Sequence, residues 1–117
     1  MHPPLTDQVA IVTGAGSGLG EATSRALAAA GATVLAVDIH GDNAQSVAAA
    51  IREQGHRAVG LRGDVRQWED VRAVVDLAVT DHGRVDILVN NAAIDYTVPL
   101  SRMTIDQWDE VIGVNLR

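Results

Sequence analysis

Short apolar runs alternate with amphipathic helical patterns along the chain, and this alternation limits the possible folds more than any other feature. Four runs rich in valine, isoleucine and leucine show little polar alternation, which is typical of strands buried on both faces. They cover residues 9–12, 33–37, 58–61 and 85–89. Apolar residues recur with helical spacing over 19–30, 44–51 and 71–79, and again from about residue 104. Right-handed crossovers turn this β-α-β-α-β-α-β-α order into an α/β fold, a parallel sheet with helices on both faces.

The ends of the helical patterns carry recognisable signals, except at the C-terminus. Gly31, Gly55 and Gly83 follow the first three patterns, as expected of helix C-caps. The spacing of Thr104 and Gln107 is that of a capping box, which predicts a fourth helix start. That helical pattern still continues at residues 115–117, without a glycine or proline stop. We therefore expect residues 1–117 to form one domain that is truncated at its C-terminus.

The first apolar run leads directly into a turn with four glycines, Thr13-Gly-Ala-Gly-Ser-Gly-Leu-Gly20, before the first helix. Glycine permits backbone angles closed to other residues and lets a ligand approach the main chain closely. The N–H groups at the start of the helix, together with its dipole, suit a phosphate or pyrophosphate. Since the dipole contributes only about 0.3 to 1 kcal/mol, most of the affinity must come from directed N–H bonds. The spacing is not G-x-G-x-x-G, and a P-loop is excluded because the chain contains no lysine.

Asp38 stands at the end of the second apolar run, where a carboxylate can accept both ribose hydroxyls of an adenosine. It would repel a 2′-phosphate by about 4 kcal/mol at contact distance and an effective dielectric near 20. Among its neighbours, Ser17 and Ile39 carry no charge, and His40 offers only partial protonation. The pattern therefore favours NAD over NADP, with the alternative that Asp38 merely caps the next turn.

Composition excludes several classes of partner and chemistry. The net charge of −6 argues against nucleic acid, whose binding needs basic side chains to neutralise phosphates. The absence of cysteine excludes disulfides and thiolate chemistry, and the four scattered histidines predict no metal site. No apolar run approaches the ~20 residues of a membrane span, and no targeting segment is visible at the start. We expect no membrane partner and a cytoplasmic location.

The motifs together resemble the short-chain dehydrogenase/reductase family over residues 9–115. The glycine turn matches that family's T-G-x-x-x-G-x-G, and Asp64-Val65 resembles its pair that contacts the adenine ring. Asn90-Asn91-Ala92-Ala93 is similar to its N-N-A-G, with Ala93 in place of glycine. The resemblance implies a Rossmann-like fold with strand order 3-2-1-4 and NAD as cofactor. The cofactor-binding residues expected on these grounds are Gly14, Ser17, Gly18, Leu19, Gly20, Asp38, Asp64, Val65, Asn91 and Ala92.

Taken singly, several of these residues have simpler explanations. Asp64 could be a turn former, and Asn90 and Asn91 could bond backbone groups at a strand end. Trp68 and Trp108 are expected to pack on the body of the fold as parts of helical stripes. Tyr96 follows the fourth strand, where surface packing and contact with substrate are both open.

The resemblance also identifies what the chain lacks. The family's hydride transfer uses a serine and a tyrosine and lysine spaced Y-x-x-x-K, in which the lysine lowers the pKa of the tyrosine. Here Tyr96 is the only tyrosine, Leu100 follows it four residues later, and no lysine exists. Of the catalytic tetrad only Asn115 is present. The sequence thus predicts the cofactor-binding half of the enzyme, inactive alone.

Three functions follow from the sequence. The first is an NAD(H)-dependent oxidoreductase acting on a small alcohol or ketone, present as its cofactor-binding portion. The second is a non-catalytic NAD-binding module or partner chain. The third, a methyltransferase on a similar fold, is disfavoured by the glycine spacing and by Asn90-Asn91. A truncated sheet would leave the fourth strand with an apolar edge, so we expect self-association or pairing with a missing C-terminal half.

Overall fold

Strands and helices alternate strictly through residues 3–91, the part of the chain that the computed structural model describes. This confirms the predicted α/β order up to the fourth strand. That strand covers Ile87–Asn90, whereas the sequence predicted residues 85–89. The fourth helical pattern lies outside the described residues. No helix in the described part is long and apolar enough to cross a membrane. The elements are β1 (Val9–Thr13), α1 (Gly18–Ala29), β2 (Thr33–Asp38), α2 (Gly41–Glu53), β3 (Arg57–Arg62), α3 (Trp68–His82) and β4 (Ile87–Asn90).

The four strands form one parallel sheet in the order β3-β2-β1-β4, which confirms the order that the family resemblance implied. Thr13, the last residue of β1, pairs with Val37 of β2 on one side and with Asn90 of β4 on the other. Strands that come later in the chain lie on both sides of β1, with β2 and β3 on one side and β4 on the other. The order in which strands are added to the sheet therefore reverses at β1, which makes this the topological switch point. The carboxyl ends of strands at such a switch point are where open α/β sheets bind ligands.

The core lies on both faces of the sheet because successive strand residues point to opposite sides. In β1, Ala10 and Val12 face α1 and α2, whereas Val9 and Ile11 face α3. All four are at most 4% exposed, which explains why this strand reads as a continuous apolar run. The predicted placement of helices on both faces is therefore confirmed.

Side chains fix β4 to β1 at both ends of the strand. At the beginning, Asp86 Oδ2 accepts the Val9 N–H at 2.8 Å, and the Asp86 N–H donates to the Val9 carbonyl oxygen at 2.9 Å. The Arg84 guanidinium lowers the pKa of Asp86, as does the bond from Val9. At the other end, the Thr13 hydroxyl donates to Asn90 Oδ1 at 2.7 Å. These contacts fix the end of β4 at Asn90, and therefore the position of Asn91, the next residue.

Three apolar residues of the predicted helical patterns are exposed to solvent. Leu19 is 72% exposed and Val79 is 52% exposed, although both belong to predicted helical stripes. Trp68 is 45% exposed, with the Arg72 guanidinium 5.4 Å from its ring centroid. Leu19 and Trp68 lie in the first turns of α1 and α3, at the helix ends nearest the carboxyl edge of the sheet. The first turn of a helix can extend past the edge of the sheet and stay exposed. Helical spacing in the sequence does not reveal this.

Candidate functional site

A cleft of about 480 Å³ opens at the carboxyl ends of the strands, on the β1 switch point. Its volume is within the range of small-molecule sites, roughly 300 to 1,000 Å³. Gly18 is not among its lining residues, and the predicted residues Ala92 and Asn115 lie outside the described part. Three lining residues, Ile39, Gly63 and Arg66, were not predicted as site residues. The structure brings eight predicted residues together around the cleft: Gly14, Ser17, Leu19, Gly20, Asp38, Asp64, Val65 and Asn91.

The glycine turn forms one wall of the cleft with its main chain. Gly14 has a φ of 62° and Gly18 a φ of 57°, values that L side chains rarely adopt. Gly20 lies so close to Gly14 that an added Cβ would overlap the Gly14 carbonyl oxygen. The first turn of α1 therefore packs directly on the end of β1, with backbone rather than side chains at the surface of this wall.

The N-terminus of α1 is left without a side-chain cap. Ser17, the N-cap residue, has an extended backbone (φ −164°, ψ 166°) and makes no side-chain cap hydrogen bond within the described residues. The main-chain N–H groups of a helix's first turn have no intrahelical acceptor. Glu21, the acidic residue of this turn, forms a salt bridge of 2.8 Å with Arg25. The N–H groups of Gly18, Leu19 and Gly20 are thus available to a ligand anion beside the cleft.

Asp38 connects β2 to the glycine turn. Its Oδ2 accepts the Gly16 N–H at 2.9 Å, and its Oδ1 accepts the His40 N–H at 2.8 Å. A Cβ on Gly16 would lie 2.8 Å from Oδ2, so only glycine allows the turn this close to the carboxylate. Asp38 therefore does cap the turn, as the alternative proposed. Its carboxylate nevertheless keeps acceptor sites that this role does not use. A carboxylate offers about four lone-pair sites, of which two are used here, and the residue still lines the cleft.

Asp64 forms a bidentate pair with Arg66, a residue that the sequence analysis missed. Oδ1 accepts Arg66 Nε at 3.0 Å and Oδ2 accepts Arg66 Nη2 at 2.9 Å. Oδ1 also accepts the main-chain N–H of Arg66 at 3.0 Å. The side-chain bond with Arg66, followed by the main-chain bond, lowers the pKa of Asp64 to about 2, and burial opposes them only in part. Asp64 is thus an ionised acceptor at neutral pH.

Asn91 carries a buried polar atom at the edge of the described part of the chain. Its side-chain nitrogen Nδ2 makes no hydrogen bond among the described residues, although the atom is covered. The main chain is anchored, because the Asn91 N–H donates to the Thr13 carbonyl oxygen at 3.3 Å. Leaving a buried donor unsatisfied costs about 1 to 3 kcal/mol. Asn91 lines the cleft, so an acceptor bound there could satisfy this donor.

The residues missed by sequence reasoning follow strand ends. Ile39 comes directly after β2 and Gly63 directly after β3, so the rule that ligands bind at carboxyl ends of parallel strands would have included both. A Cβ on Gly63 would lie 2.9 Å from Val37 Cγ1, which explains the glycine there. The spacing of Arg66 two residues after Asp64 is the only signal for their pair.

The family model and two of the relatives that match this chain are dehydrogenases. The family model described as short chain dehydrogenase matches residues 8–117. The cis-4-hydroxycyclohexanecarboxylate dehydrogenase of Sinomonas cyclohexanicum is 41% identical over 117 residues, covering 99% of this chain and 47% of that protein. The D-threitol dehydrogenase of Mycolicibacterium smegmatis is 36% identical, covering 96% of this chain and 43% of that protein.

A solved structure shows the same fold. The crystal structure of a hydroxysteroid dehydrogenase from Escherichia coli aligns with a TM-score of 0.75 and 35% sequence identity. The alignment covers 92% of this chain and 46% of that one. The chain thus spans somewhat less than half the length of the relatives that it matches.

Proposed function

The chain belongs to the short-chain dehydrogenase family, and from that premise we propose that it forms the NAD(H)-binding part of an oxidoreductase acting on a small alcohol or ketone. The observation that carries this proposal is a single cleft that joins the uncapped N-terminus of α1 to the Asp38 carboxylate at the end of β2. A dinucleotide needs both features, one for its diphosphate and one for a ribose.

The residues of the cleft fit a dinucleotide in charge and shape. The glycine wall admits a ligand to the main chain, and the N–H groups of the first turn of α1 can donate to diphosphate oxygens. Asn91 Nδ2 supplies a further donor that has no acceptor among the described residues. Asp38 keeps acceptor capacity for the hydroxyls of a ribose.

The same cleft favours NAD over NADP. Asp38 places a negative charge where a 2′-phosphate would lie, and His40 contributes its main-chain N–H to that carboxylate. Arg66 is the one basic side chain lining the cleft within residues 3–91, and both of its donor nitrogens facing Asp64 are bonded to that carboxylate. The positive charge of Arg66 is therefore already paired with the Asp64 carboxylate, which reduces its attraction for a 2′-phosphate.

A bound nicotinamide supplies the hydride chemistry, and this chain's own residues would bind and orient it. Asn115 matches the family's helix asparagine, and we propose the same structural and proton-relay role for it. The 117 residues contain one tyrosine and no lysine, so they hold no Tyr–Lys pair for proton exchange. This favours the second function, NAD binding without turnover, for the chain on its own. The cytoplasmic location, the truncation and the pairing of the outer edge of β4 with another chain stay predictions of the sequence.

Titration of the chain with NAD⁺ and NADP⁺ tests the proposal. We expect NAD⁺ to bind about a hundredfold more tightly, a difference of about 2.8 kcal/mol, because only NADP⁺ carries the phosphate that Asp38 repels. ADP-ribose should compete, and alcohols should give no NADH signal with this chain. Calorimetry without heat for either dinucleotide would overturn the binding proposal, and substantial turnover would contradict the inactive state.

Removing the unsatisfied donor should separate binding from stability. We expect Asn91→Ala to leave the melting temperature of the unliganded chain unchanged or raised, because the buried Nδ2 atom is removed. The NAD⁺ affinity should fall about tenfold, the equivalent of one hydrogen bond of roughly 1.4 kcal/mol. The matched variant Asn90→Ala should behave differently, since the Thr13 hydroxyl then loses its 2.7 Å acceptor and the melting temperature falls. Equal NAD⁺ affinity of wild type and Asn91→Ala would contradict the role of Asn91.

A further inference from the structure

We propose that the outer edge of β3 is a strand-addition surface for β4 of a second copy of this chain, and that Gln45 and Arg52 keep this surface closed. Both side chains belong to α2 and donate hydrogen bonds to main-chain carbonyl oxygens of β3. The surface lies outside the cofactor cleft, so its role is independent of the proposed function.

Half of the main-chain groups of β3 point away from the sheet. β3 is an outer strand, with β2 as its only neighbour in the described part of the chain. The Gly63 N–H donates to the carbonyl oxygen of Asp38 in β2 at 3.0 Å, so the main chain of Gly63 faces β2. Because the N–H and C=O groups of successive strand residues point to alternate sides, Ala58 and Gly60 face the open edge instead. Unpaired groups of this kind are a template for pairing with another chain.

Side chains of α2 occupy the acceptors on this edge. Gln45 Nε2 donates to the Gly60 carbonyl oxygen at 2.9 Å, and Arg52 Nη1 donates to the Ala58 carbonyl oxygen, also at 2.9 Å. Gln45 and Arg52 stand about two helical turns apart, so they share one face of α2. The helix lies directly on the strand, because a Cβ on Gly60 would lie 2.6 Å from the Ala44 carbonyl oxygen. An added strand must therefore displace both side chains.

The strand that this edge fits is β4, the other outer strand of the sheet. Within residues 3–91 it pairs only with β1, and its residues Ile87–Asn90 carry no charge. Two β3 edges suit each other less, because Arg57 and Arg62 at the ends of β3 would meet like charges in an antiparallel pair. Addition of β4 to the β3 edge of the next copy is a head-to-tail contact, which repeats without closing and yields fibres. Gln45 and Arg52 thus prevent open-ended growth of the sheet.

The test compares wild type with the double variant Gln45→Ala/Arg52→Ala by sedimentation velocity over a concentration series. Alanine favours the helix while removing both donors. We expect the double variant to form assemblies larger than dimers, whereas wild type should not exceed a dimer formed through β4. Hydrogen exchange locates the contact. The N–H groups of Ala58 and Gly60 should exchange at least about tenfold more slowly in the assembled variant than in wild type at equal concentration.

Gln54→Ala/Arg72→Ala is the matched control, since it removes the same two residue types from exposed positions of α3 and of the end of α2. Neither side chain donates a hydrogen bond to a strand within the described residues, and the net charge of the two double variants is equal. The control should sediment like wild type. A control that assembles as strongly as Gln45→Ala/Arg52→Ala would overturn the proposal, because lost polarity and charge would then explain the assembly.

Two further outcomes would also overturn the proposal. A folded double variant that sediments like wild type, with unprotected Ala58 and Gly60 N–H groups, would show that Gln45 and Arg52 only dock α2 on β3. Concentration-dependent protection of the same N–H groups in wild type would show that the edge accepts a strand with both side chains in place. If the double variant does not fold, Gln45→Ala alone opens the Gly60 carbonyl, and a free Gly60 N–H at high concentration of that variant would contradict the role of Gln45.

Discussion

Gly20→Ala is expected to abolish dinucleotide binding and to lower the free energy of unfolding by about 3 kcal/mol, at the upper end of the usual cost of overpacking. The new methyl group would overlap the Gly14 carbonyl oxygen and lie 2.7 Å from the Gly14 carbonyl carbon. Both atoms belong to the main chain at the end of β1, so no side chain can rotate away. The first turn of α1 must move off the sheet, and its N–H groups would no longer face the cleft. Urea unfolding and NAD⁺ titration measure the two effects.

Gly55→Ala is the matched control for this substitution. Gly55 follows α2 with a φ of 84°, and a Cβ there would meet no atom within 4 Å. The cost is that of a left-handed residue alone, about 1 to 2 kcal/mol, and NAD⁺ affinity should be unchanged. Wild-type affinity in Gly20→Ala would show that the diphosphate binds somewhere other than the glycine wall.

The two central strands, β1 and β2, could be predicted from the sequence because they are buried on both faces of the sheet. Residues 9–12 and 33–37 read as apolar runs since their side chains pack on α1 and α2 on one side and on α3 on the other. The glycine turn and Asp38 could be predicted for a related reason. Both lie in the cleft because they stand at the carboxyl ends of β1 and β2. In the sequence, these strand ends are recognisable as the ends of apolar runs.

Partners of individual side chains could not be predicted in the same way. The pairing of Asp64 with Arg66 and the unsatisfied donor of Asn91 depend on directions that the backbone takes after β3 and β4. Leu19 shows the complementary limit, because helical spacing assigns it to the buried stripe while its position in the first turn of α1 leaves it exposed beside the cleft. Periodicity predicts which face a residue takes, but not whether a neighbouring element reaches it.

Asp38→Asn is expected to reduce the preference for NAD⁺ over NADP⁺ about a hundredfold. Two unit charges at 4 Å and an effective dielectric near 20 repel by about 4 kcal/mol, and salt screens part of this at the rim of the cleft. Asparagine keeps the size of the side chain and can still accept the Gly16 N–H, but its amide group would then meet the His40 N–H donor to donor. A modest fall in melting temperature should therefore accompany the change in preference.

The measured quantity is the ratio of the two dissociation constants, because a general loosening of the glycine turn would weaken NAD⁺ and NADP⁺ alike and leave that ratio unchanged. Asp42→Asn removes the same charge from an exposed position in the first turn of α2, and its ratio should match wild type. If Asp38→Asn weakens both dinucleotides equally, Asp38 only holds Gly16 and His40 in place, as the turn-capping alternative requires. If the ratio falls as expected while that of Asp42→Asn does not, the charge at the end of β2 itself discriminates against the 2′-phosphate.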